Sequence, residues 1–331
     1  MIHISDKKSV SIVIPNYNGV TLLEKYLPHT FRAIENAAVE YEVIVVDDFS
    51  TDDSVVWLRS NYPEITVLVN SANLGFSLTC NRGINVAKKE LVLLLNSDVS
   101  LNEDYFERLW PYFKEKDAFG VMGRIVNQQG EIEDAARLLT FSGMKFKGTN
   151  FYFCEEKGKL TPTAYLSGAN ALVRRAMLVK LGGFDGIFSP YYSEDVDLSF
   201  RAWKLGWKCY YEHDAVCHHE VSKTIRSSSS KKQRLTIVYR NKFILHSIHL
   251  NGFRLMAWFL QLIFIEVLFR VLVGKIWVLK SLDGLFENRK AILESRRNLK
   301  NLMKEESKGQ SLHDVKRMHF DQVHSWRIKM V

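Results

Sequence analysis

The sequence predicts an α/β fold with a mostly parallel sheet covered by helices on both faces, plus a C-terminal helical extension. Short apolar runs alternate with segments of helical periodicity over the first hundred residues, and polar turns follow the runs. Strands that are apolar on both faces and alternate with helices are typical of parallel sheets buried between two helical layers. The extension is indicated by helical spacing over much of the last hundred residues.

Four strands are predicted in the first hundred residues. The first ends at Pro15, which cannot donate to a strand ladder and precedes turn-forming residues. The second ends at two aspartates, ahead of a helix that begins near Asp52. The fourth is the continuous apolar run LVLLL. The predicted strands cover residues 10–14, 41–46, 65–69 and 91–95, and the helices cover residues 21–38, a segment from 52, and a segment that ends near 88.

From residue 118 to about 173 the segments are shorter and more mixed, which predicts antiparallel additions to the sheet. The elements predicted beyond residue 118 are strands at 119–125, 151–154, 169–173 and 208–216 and helices at 175–181 and 195–204. We therefore divide the chain into an α/β domain over residues 1–230, with halves of about 1–117 and 118–230, and a helical region over residues 231–331.

Positive charge is concentrated in the C-terminal region. The net charge is +8, but residues 231–331 hold 20 Lys and Arg against 8 Asp and Glu, whereas the preceding residues hold 25 against 29. Such a basic region predicts an anionic partner, for example a phospholipid surface. Nucleic acid is not predicted as a partner, because no zinc-finger, helix-turn-helix or RNA-stacking motif accompanies the charge. Four cysteines without a CxxC pair predict a reducing cytoplasm.

Residues 253–280 form the most apolar stretch of the chain. Charged residues interrupt it, so its longest uncharged window, residues 255–265, is half of what a membrane span needs. The stretch is either an interfacial element that docks on a membrane or a helical pair that packs on the α/β domain or on a second copy of the chain. Basic residues further on extend the membrane interpretation over residues 253–300. No ordered structure is predicted for the last twenty residues.

Three polar clusters follow predicted strands, where the loops of an open α/β sheet form ligand sites. They are residues 15–18, 47–50 and 96–98. Asp47 and Asp48 can accept hydrogen bonds from a base or ribose, and helix capping is the alternative. Asp98 follows a fully apolar strand, where a carboxylate is costly unless it binds a cation or a fixed donor. Its position suits a divalent ion that bridges a diphosphate, and a simple polar turn is the alternative.

Two further pairs can carry chemistry. Glu194 and Asp195 begin a predicted helix, whose dipole alone would account for one of them. Two acids at the mouth of a site also suit a division of labour, in which one orients a hydroxyl and the other removes its proton. His218 and His219 end a predicted strand and are candidate metal ligands, with a surface or structural role as the alternative.

In their order and spacing, these motifs resemble the family 2 glycosyltransferases of the GT-A fold, especially the rhamnosyltransferase-like members. The resemblance extends over about residues 10–224 and rests on SIVIPNYN, VIVVDDFSTDDS, NLGFSLTCNRGI, LVLLLNSDV, SGANALVRR, GGFDGIFSPYYSEDVDLSFRAWKLGW and HHEVSKT. Each motif is weak alone, but the ordered set is specific. The resemblance implies a GT-A type, Rossmann-like domain with a nucleotide-sugar half over residues 1–117 and an acceptor half over residues 118–230.

The resemblance also implies catalytic and metal roles. Asp195 matches the general base of inverting members, and Glu194 beside it would contact the acceptor or the metal shell. Asp98 matches the last acid of the DxD motif, which binds Mg²⁺ or Mn²⁺ through the donor diphosphate. His218 matches the histidine that completes this metal site, with His219 as the alternative register.

The donor side of the site departs from the family pattern at one position. Asn96 replaces the first acid of DxD, which leaves a single carboxylate in that motif. The residues expected to bind the donor are Pro15, Tyr17, Asp47, Asp48, Asn73, Gly75, Asn81, Arg82 and Asn96.

The resulting expectation is an inverting, metal-assisted glycosyltransferase of the hexosyltransferase type. It would move a sugar from a nucleotide-sugar donor to a glycan or lipid-linked acceptor in cell-surface polysaccharide or glycoconjugate biosynthesis, at the inner face of the cell membrane. The alternative is a non-catalytic nucleotide-sugar-binding or scaffold protein with the same fold, which Asn96 permits. A nicotinamide-dependent oxidoreductase is disfavoured, because PNYNG and not GxGxxG follows the first strand.

Overall fold

The structure is a computed structural model that describes residues 7–220 and 230–331. Its strands are β1 Val10–Asn16, β2 Tyr41–Asp47, β3 Thr66–Val69, β4 Leu91–Leu95, β5 Val99–Leu101, β6 Ala118–Val126, β7 Ile132–Asp134, β8 Leu139–Ser142, β9 Lys145–Gly148, β10 Tyr152–Cys154, β11 Thr161–Pro162, β12 Asn170–Arg174, β13 Lys208–His219 and β14 Ile328–Met330. Its helices are α1 Val20–Ala37, α2 Ser54–Asn61, α3 Phe76–Val86, α4 Tyr105–Leu109, α5 Arg175–Lys180, α6 Glu194–Lys204, α7 Lys231–His249, α8 Gly252–Leu272, α9 Trp277–Glu287, α10 Arg289–Glu305 and α11 Leu312–Val323.

The central sheet contains the predicted parallel strands and the additions predicted at residues 119–125 and 169–173, whereas the strand predicted at 151–154 is β10 and lies in a separate sheet with β14. The strand order is β11-β13-β6-β12-β4-β1-β2-β3, with β5 paired to β13 and β7 paired to β6. β4, β1, β2 and β3 are mutually parallel neighbours. β12 inserts antiparallel between β4 and β6, and β13 runs parallel to β6. The predicted α/β class with a mostly parallel core is confirmed.

Side chains of β1 divide the interior into two hydrophobic cores. Val13 packs in one core with Ile84 of α3, whereas Ile12 and Ile14 pack in the other with Leu23 of α1. Successive residues of a strand point to opposite faces of the sheet, so a strand that is apolar at every position needs a helical layer on each side. The loops at the carboxyl ends of these strands lie between the layers and carry the polar clusters.

The C-terminal region packs on the α/β part of the chain. Ser230 caps α7 and exchanges hydrogen bonds with Gln233 in a capping box. Further along, Lys204 Nζ in α6 donates to the carbonyl oxygen of His249 at 2.9 Å. The predicted boundary at residue 230 coincides with the start of α7, and the division into two domains stays a prediction.

The last twenty residues are ordered, so the prediction for them was wrong. They form α11 and β14, and β14 pairs antiparallel with β10, with Met330 opposite Tyr152. The partner strand lies in the other half of the chain, and a pairing of that kind leaves no local signal in three residues of sequence.

The apolar stretch forms a longer helix than the sequence suggested. α8 contains 21 residues and has a mean hydropathy of 2.0 in its most apolar window, so its length and composition would allow it to cross a membrane. The helix is longer than the uncharged window of residues 255–265, because it continues through Glu266 and Arg270. Only 22% of its most apolar window is buried inside the protein, so α8 is largely a surface helix.

Candidate active site

A cavity of about 560 Å³ opens at the carboxyl ends of β1, β2 and β4. Its walls come from the loops after these strands, the first turns of α3 and α6, and the loop that contains Tyr191 and Tyr192. This is the position at which open α/β sheets bind ligands. The predicted site residues that line it are Pro15, Tyr17, Asp48, Asn73, Gly75, Asn96, Asp98, Glu194 and Asp195.

Four oxygen atoms of the residues that line the cavity are buried without a hydrogen-bond partner in the described part of the chain. They are Oδ1 of Asn16, Oδ1 of Asn96, Oδ1 of Asp98 and Oε2 of Glu194. Buried polar atoms normally have a partner, and leaving one without a partner costs about 1–3 kcal/mol. These oxygens therefore fit a ligand that supplies hydroxyl groups or a cation.

His219, and not His218, faces Asp98. Nε2 of His219 lies 3.4 Å from Oδ2 of Asp98, and its Nδ1 lies 2.8 Å from Oε2 of Glu133. Burial lowers the pKa of His219, but the two carboxylates outweigh burial and raise it to about 9. His218 is exposed, because adjacent residues of β13 point to opposite faces. The preference for His218 is thus corrected, and the alternative register is the one that reaches Asp98.

Glu194 and Asp195 lie in the first turn of α6. Burial is the main cause that raises the pKa of both carboxyl groups, and the charge of Asp195 raises that of Glu194 further. A hydrogen bond from the N–H of Val196 to Oδ1 of Asp195, 2.8 Å long, opposes the shift at Asp195. Burial and mutual repulsion thus give the pair a higher proton affinity than an exposed carboxylate has, which suits a group that accepts a proton.

Asp48 holds the loop before α3, which forms one wall of the cavity. Its carboxylate accepts hydrogen bonds from the N–H groups of Leu74 and Gly75, at 2.8 and 2.9 Å, and from the side-chain amide of Asn70 at 2.7 Å. Gly75 has a φ of 80°, and a Cβ there would lie 2.8 Å from Cα of Pro190. Glycine fits this conformation and this close approach, which other residues would disturb. Asp48 therefore shapes the cavity as well as lining it.

Three residues expected to bind the donor lie behind the wall. Asp47 accepts hydrogen bonds from the side-chain amide of Asn16 at the end of β1 and from the N–H of Ser50 in the loop after β2, at 2.9 Å each. Asn81 donates to the carbonyl oxygen of Phe184 at 2.7 Å and accepts from its N–H at 2.8 Å. Arg82 donates to the carbonyl oxygen of Val69 at 2.8 Å. These side chains position the loops of the site and do not form the surface of the cavity.

The family to which the chain belongs follows from sequence comparison. Residues 11–182, more than half of the chain, match the family described as Glycosyl transferase family 2. The chain belongs to the family 2 glycosyltransferases. The matched residues include Asp48 with its neighbouring loop and the NSD motif at residues 96–98. The predicted family resemblance is confirmed.

Relatives with known names support the fold and the activity class. This glycosyltransferase is 28% identical over 245 residues to the N-acetylglucosaminyl-diphospho-decaprenol L-rhamnosyltransferase of Mycobacterium tuberculosis, with 66% of this chain and 78% of that protein covered. GalNAc-T7, solved with UDP, GalNAc and Mn²⁺, superposes with a TM-score of 0.60 at 13% identity, over 96% of this chain and 56% of that chain. The mannosyltransferase PcManGT of Pyrobaculum calidifontis, solved with GDP-Man and Mn²⁺, superposes with a TM-score of 0.54 at 16% identity, over 96% of this chain and 86% of that chain. Both structures confirm the GT-A fold.

The residues around Asp98 fit a metal that is shared with a ligand. Within residues 7–220 and 230–331, no group of three or more His, Cys, Asp and Glu side chains is arranged to hold a metal ion. Asp98 and His219 supply two candidate ligands, and Oδ1 of Asp98 has no hydrogen-bond partner among those residues. Mg²⁺ sites commonly use one or two carboxylates and complete their coordination with water and substrate phosphates. A diphosphate would complete this donor set.

Three residues near the site of this glycosyltransferase were not predicted from the sequence. Glu133 contacts His219, and Asp134 follows it on β7. Burial raises the pKa of the Asp134 carboxyl to about 6, and the charge of Arg137 opposes this shift. Asn241 of α7 is fully buried and donates to the carbonyl oxygens of Tyr191 and Tyr192. A short strand and a single amide in a basic helix gave no local signal of these roles.

Proposed function

We propose that this family 2 glycosyltransferase is an inverting enzyme that transfers a sugar from a nucleotide-sugar donor to a hydroxyl of a glycan or lipid-linked acceptor. The observation that carries the proposal is the convergence of Asn96, Asp98, Glu194 and Asp195 on one cavity of about 560 Å³. Small-molecule sites typically measure about 300–1,000 Å³, so this cavity can hold a nucleotide sugar.

In the proposed complex, the nucleotide lies against the loops after β1 and β2. Pro15, Tyr17 and Asn73 line this side, and Asp48 fixes the backbone beside them. Because its carboxylate already accepts three hydrogen bonds, Asp48 would read the base mainly through the loop that it holds. Asp47, Asn81 and Arg82 support the donor loops from behind, as described above.

Asp195 is the proposed general base. It takes the proton of an acceptor hydroxyl, whose oxygen forms a bond to the anomeric carbon from the face opposite the nucleotide. The bond between the anomeric carbon and the diphosphate oxygen breaks, and its electron pair leaves with the nucleoside diphosphate. One displacement of this kind inverts the anomeric configuration. Glu194, whose Oε2 lacks a partner among the described residues, is placed to orient the acceptor.

Asp98 and His219 are the proposed protein ligands of a divalent ion, Mg²⁺ or Mn²⁺. Such an ion, when bound, stabilises the negative charge of the leaving diphosphate. Asn96 offers a neutral oxygen where the family pattern has an acid, which lowers the negative charge of the site. Asp98→Ala is expected to abolish the metal dependence of donor binding and of transfer, and unchanged metal dependence would contradict this assignment.

The named relative supports the rest of the proposal. A rhamnosyltransferase that acts on a lipid-linked saccharide favours a hexosyl donor, with rhamnose as one candidate, and a glycan or lipid-linked acceptor. The proposal includes a role in cell-surface polysaccharide or glycoconjugate biosynthesis at the cytoplasmic face of the cell membrane. Residues 253–300 are the proposed peripheral membrane contact.

The test begins with a panel of nucleotide sugars, screened by thermal shift with Mn²⁺ to identify the donor. Asp195→Asn keeps the size of the side chain and removes the base, so transfer should fall by about a hundredfold or more while donor binding is retained. Glu194→Gln is the matched variant at the adjacent acid and should retain more activity than Asp195→Asn. Unchanged transfer in Asp195→Asn would reject the base assignment, and lost donor binding would indicate a structural role.

A non-catalytic nucleotide-sugar-binding protein with the same fold is the second candidate. The observation that favours it is Asn96, because a full DxD motif would carry two acids. Slow hydrolysis of the donor in the presence of added metal separates the two proposals. Hydrolysis that Asp98→Ala abolishes would support the enzyme, and tight donor binding without hydrolysis or transfer would support the binding protein.

A further inference from the structure

One face of α8 is apolar and exposed along the whole helix. Its members are Phe253, Met256, Leu260, Phe264, Leu268 and Leu272, which we call the outer face. Exposure is 77% at Phe253, 62% at Phe264 and 76% at Leu272, so both ends and the middle of the helix are open. Single exposed apolar side chains are ordinary on protein surfaces, whereas a contiguous row of them marks an interaction surface.

A π-helical segment keeps the outer face on one side of α8. In a regular α-helix of about 3.6 residues per turn, a row spaced every four residues drifts by about 40° per step. The row from Leu260 through Phe264 and Leu268 to Leu272 is spaced in this way and stays exposed, whereas Val267 is buried. The π-helical segment Leu262–Val267, which has more residues per turn, reduces this drift across the middle of the helix.

The opposite side of α8 is attached to the catalytic domain. Trp258 is 1% exposed, and Oε1 of Gln261 accepts a hydrogen bond from the N–H of Met144 at 2.8 Å. Lys145 Nζ lies 3.0 Å from Oε1 of Glu266, which is itself mostly buried. A helix that crossed a bilayer would have to leave these contacts and take Glu266 into hydrocarbon without its lysine, which is costly.

The charges around the outer face match an anionic surface. Arg254 lies at one end of α8, and Lys275 and Lys280 follow the other end, all three exposed. Glu266 is the acidic residue within α8, and it pairs with Lys145 and with Arg270. An exposed apolar row with basic residues at its ends is the pattern of helices that lie in the interface of anionic membranes.

We propose that α8 lies in the plane of an anionic membrane surface, with its outer face in the lipid and its inner side on the catalytic domain. The proposed function already includes a peripheral membrane contact, and this proposal adds the orientation of the helix in that contact. It rests on the proposed function for the cellular location. The protein is then bound to one leaflet and does not span the bilayer, and the helix docks without rearranging the active site.

The first experiment measures binding of the purified full chain to vesicles of equal parts phosphatidylglycerol and phosphatidylcholine, without donor or acceptor. Transfer of a large apolar side chain from water to lipid corresponds to about tenfold or more in partitioning. Phe264→Ser with Leu272→Ser should weaken binding at least about tenfold, and vesicles of phosphatidylcholine alone should bind the unchanged chain more weakly. The matched control is Val56→Ser with Val179→Ser, which are exposed residues of α2 and α5. Equal binding by both double variants would overturn the proposal.

The second experiment separates in-plane from spanning helices. Single cysteines at Phe253, Phe264 and Leu272, labelled with an environment-sensitive fluorophore, report their depth through lipids that carry quenchers at different acyl positions. Equal and shallow depths at the three positions support the proposal. A deep central label between two shallow labels would show a spanning helix and overturn it. A lipid-free dimer that the Phe264→Ser, Leu272→Ser pair dissociates, with no vesicle binding, would assign the face to a second copy.

These outcomes are independent of catalysis. Transfer to a water-soluble acceptor should be the same for the outer-face variant and the unchanged chain, because the outer face contributes no residue to the cavity. A chain that binds vesicles as described but fails to transfer sugar would disprove the proposed function and leave the docking proposal intact. Normal transfer without vesicle binding would overturn the docking proposal and leave the proposed function intact.

Discussion

Asn241→Asp is expected to destabilise the loop that forms one wall of the cavity. Asn241 is fully buried, and its Nδ2 donates to the carbonyl oxygens of Phe188 at 2.7 Å, Tyr192 at 2.8 Å and Tyr191 at 3.0 Å. Aspartate has nearly the same shape, but an ionised carboxylate has no hydrogen to donate. The substitution would therefore turn two acceptor oxygens towards a group of carbonyl oxygens.

The magnitude follows from the number of hydrogen bonds. A side-chain amide carries two N–H groups, so the substitution removes two bonds at any moment. Each is worth about 0.5–1.5 kcal/mol, and a buried carbonyl left without a partner costs about 1–3 kcal/mol. We expect the free energy of unfolding to fall by about 2–4 kcal/mol at pH 8. The loss should be smaller at pH 5, because a protonated acid donates one hydrogen bond.

Urea unfolding measures the stability, and the transfer assay measures the position of the loop. Tyr191 and Tyr192 line the cavity, and small misplacements of a site can cost about a hundredfold, so kcat/KM should fall at least about tenfold while the variant is folded. Asn61→Asp is the control, since the exposed Asn61 donates to a single carbonyl oxygen, that of Trp57. It should change stability by less than about 0.5 kcal/mol. An Asn241→Asp variant with unchanged stability and activity would refute this reasoning.

Two further predictions concern stability. Gly75→Ala should lower the free energy of unfolding by about 2–4 kcal/mol, because a Cβ would meet Pro190 and the backbone would be strained. Gly130 has the same φ of 80° but open space around it, so Gly130→Ala should lower the free energy of unfolding by only about 1 kcal/mol. Equal losses of stability in urea unfolding would show that the contact with Pro190 contributes nothing. His319 is buried, and burial lowers its pKa from 6.5 to about 3, so the unfolded state takes up the proton first and stability falls as the pH drops from 6.5 towards 3. His319→Leu should reduce the stability loss between pH 6.5 and pH 5 by about 2 kcal/mol, and an unchanged loss would show that His319 does not titrate in this way.

The elements that the sequence predicted well are those with strong local patterns. The run LVLLL is buried at every position and became β4, and Asp98 after it lines the cavity together with Asp48 after β2, because parallel strands end at the same edge. The family resemblance predicts that Asp98 and Asp195 share one site, and both line the cavity.

Other features depend on contacts that sequence patterns do not encode. His218 and His219 are chemically equivalent in the sequence, and the direction of β13 at its last residues decides which of them meets Asp98. Asp47 and Asp48 are also adjacent, yet Asp48 lines the cavity and Asp47 holds loops behind it. Asn241 acts across the boundary between the α/β domain and the C-terminal region, so its partners lie about 50 residues earlier in the chain.

The π-helical segment of α8 lets the helix carry one extra residue without rotating its outer face. Six residues in this wider form turn the chain about as far as five α-helical residues do, at about 100° each. Loss of one residue between Leu262 and Val267 would therefore restore a regular helix and leave Leu268 and Leu272 on the outer face. Loss of one residue after Val267 would instead rotate Leu272 by about 100°, which makes the position of a deletion the property to compare among homologous chains.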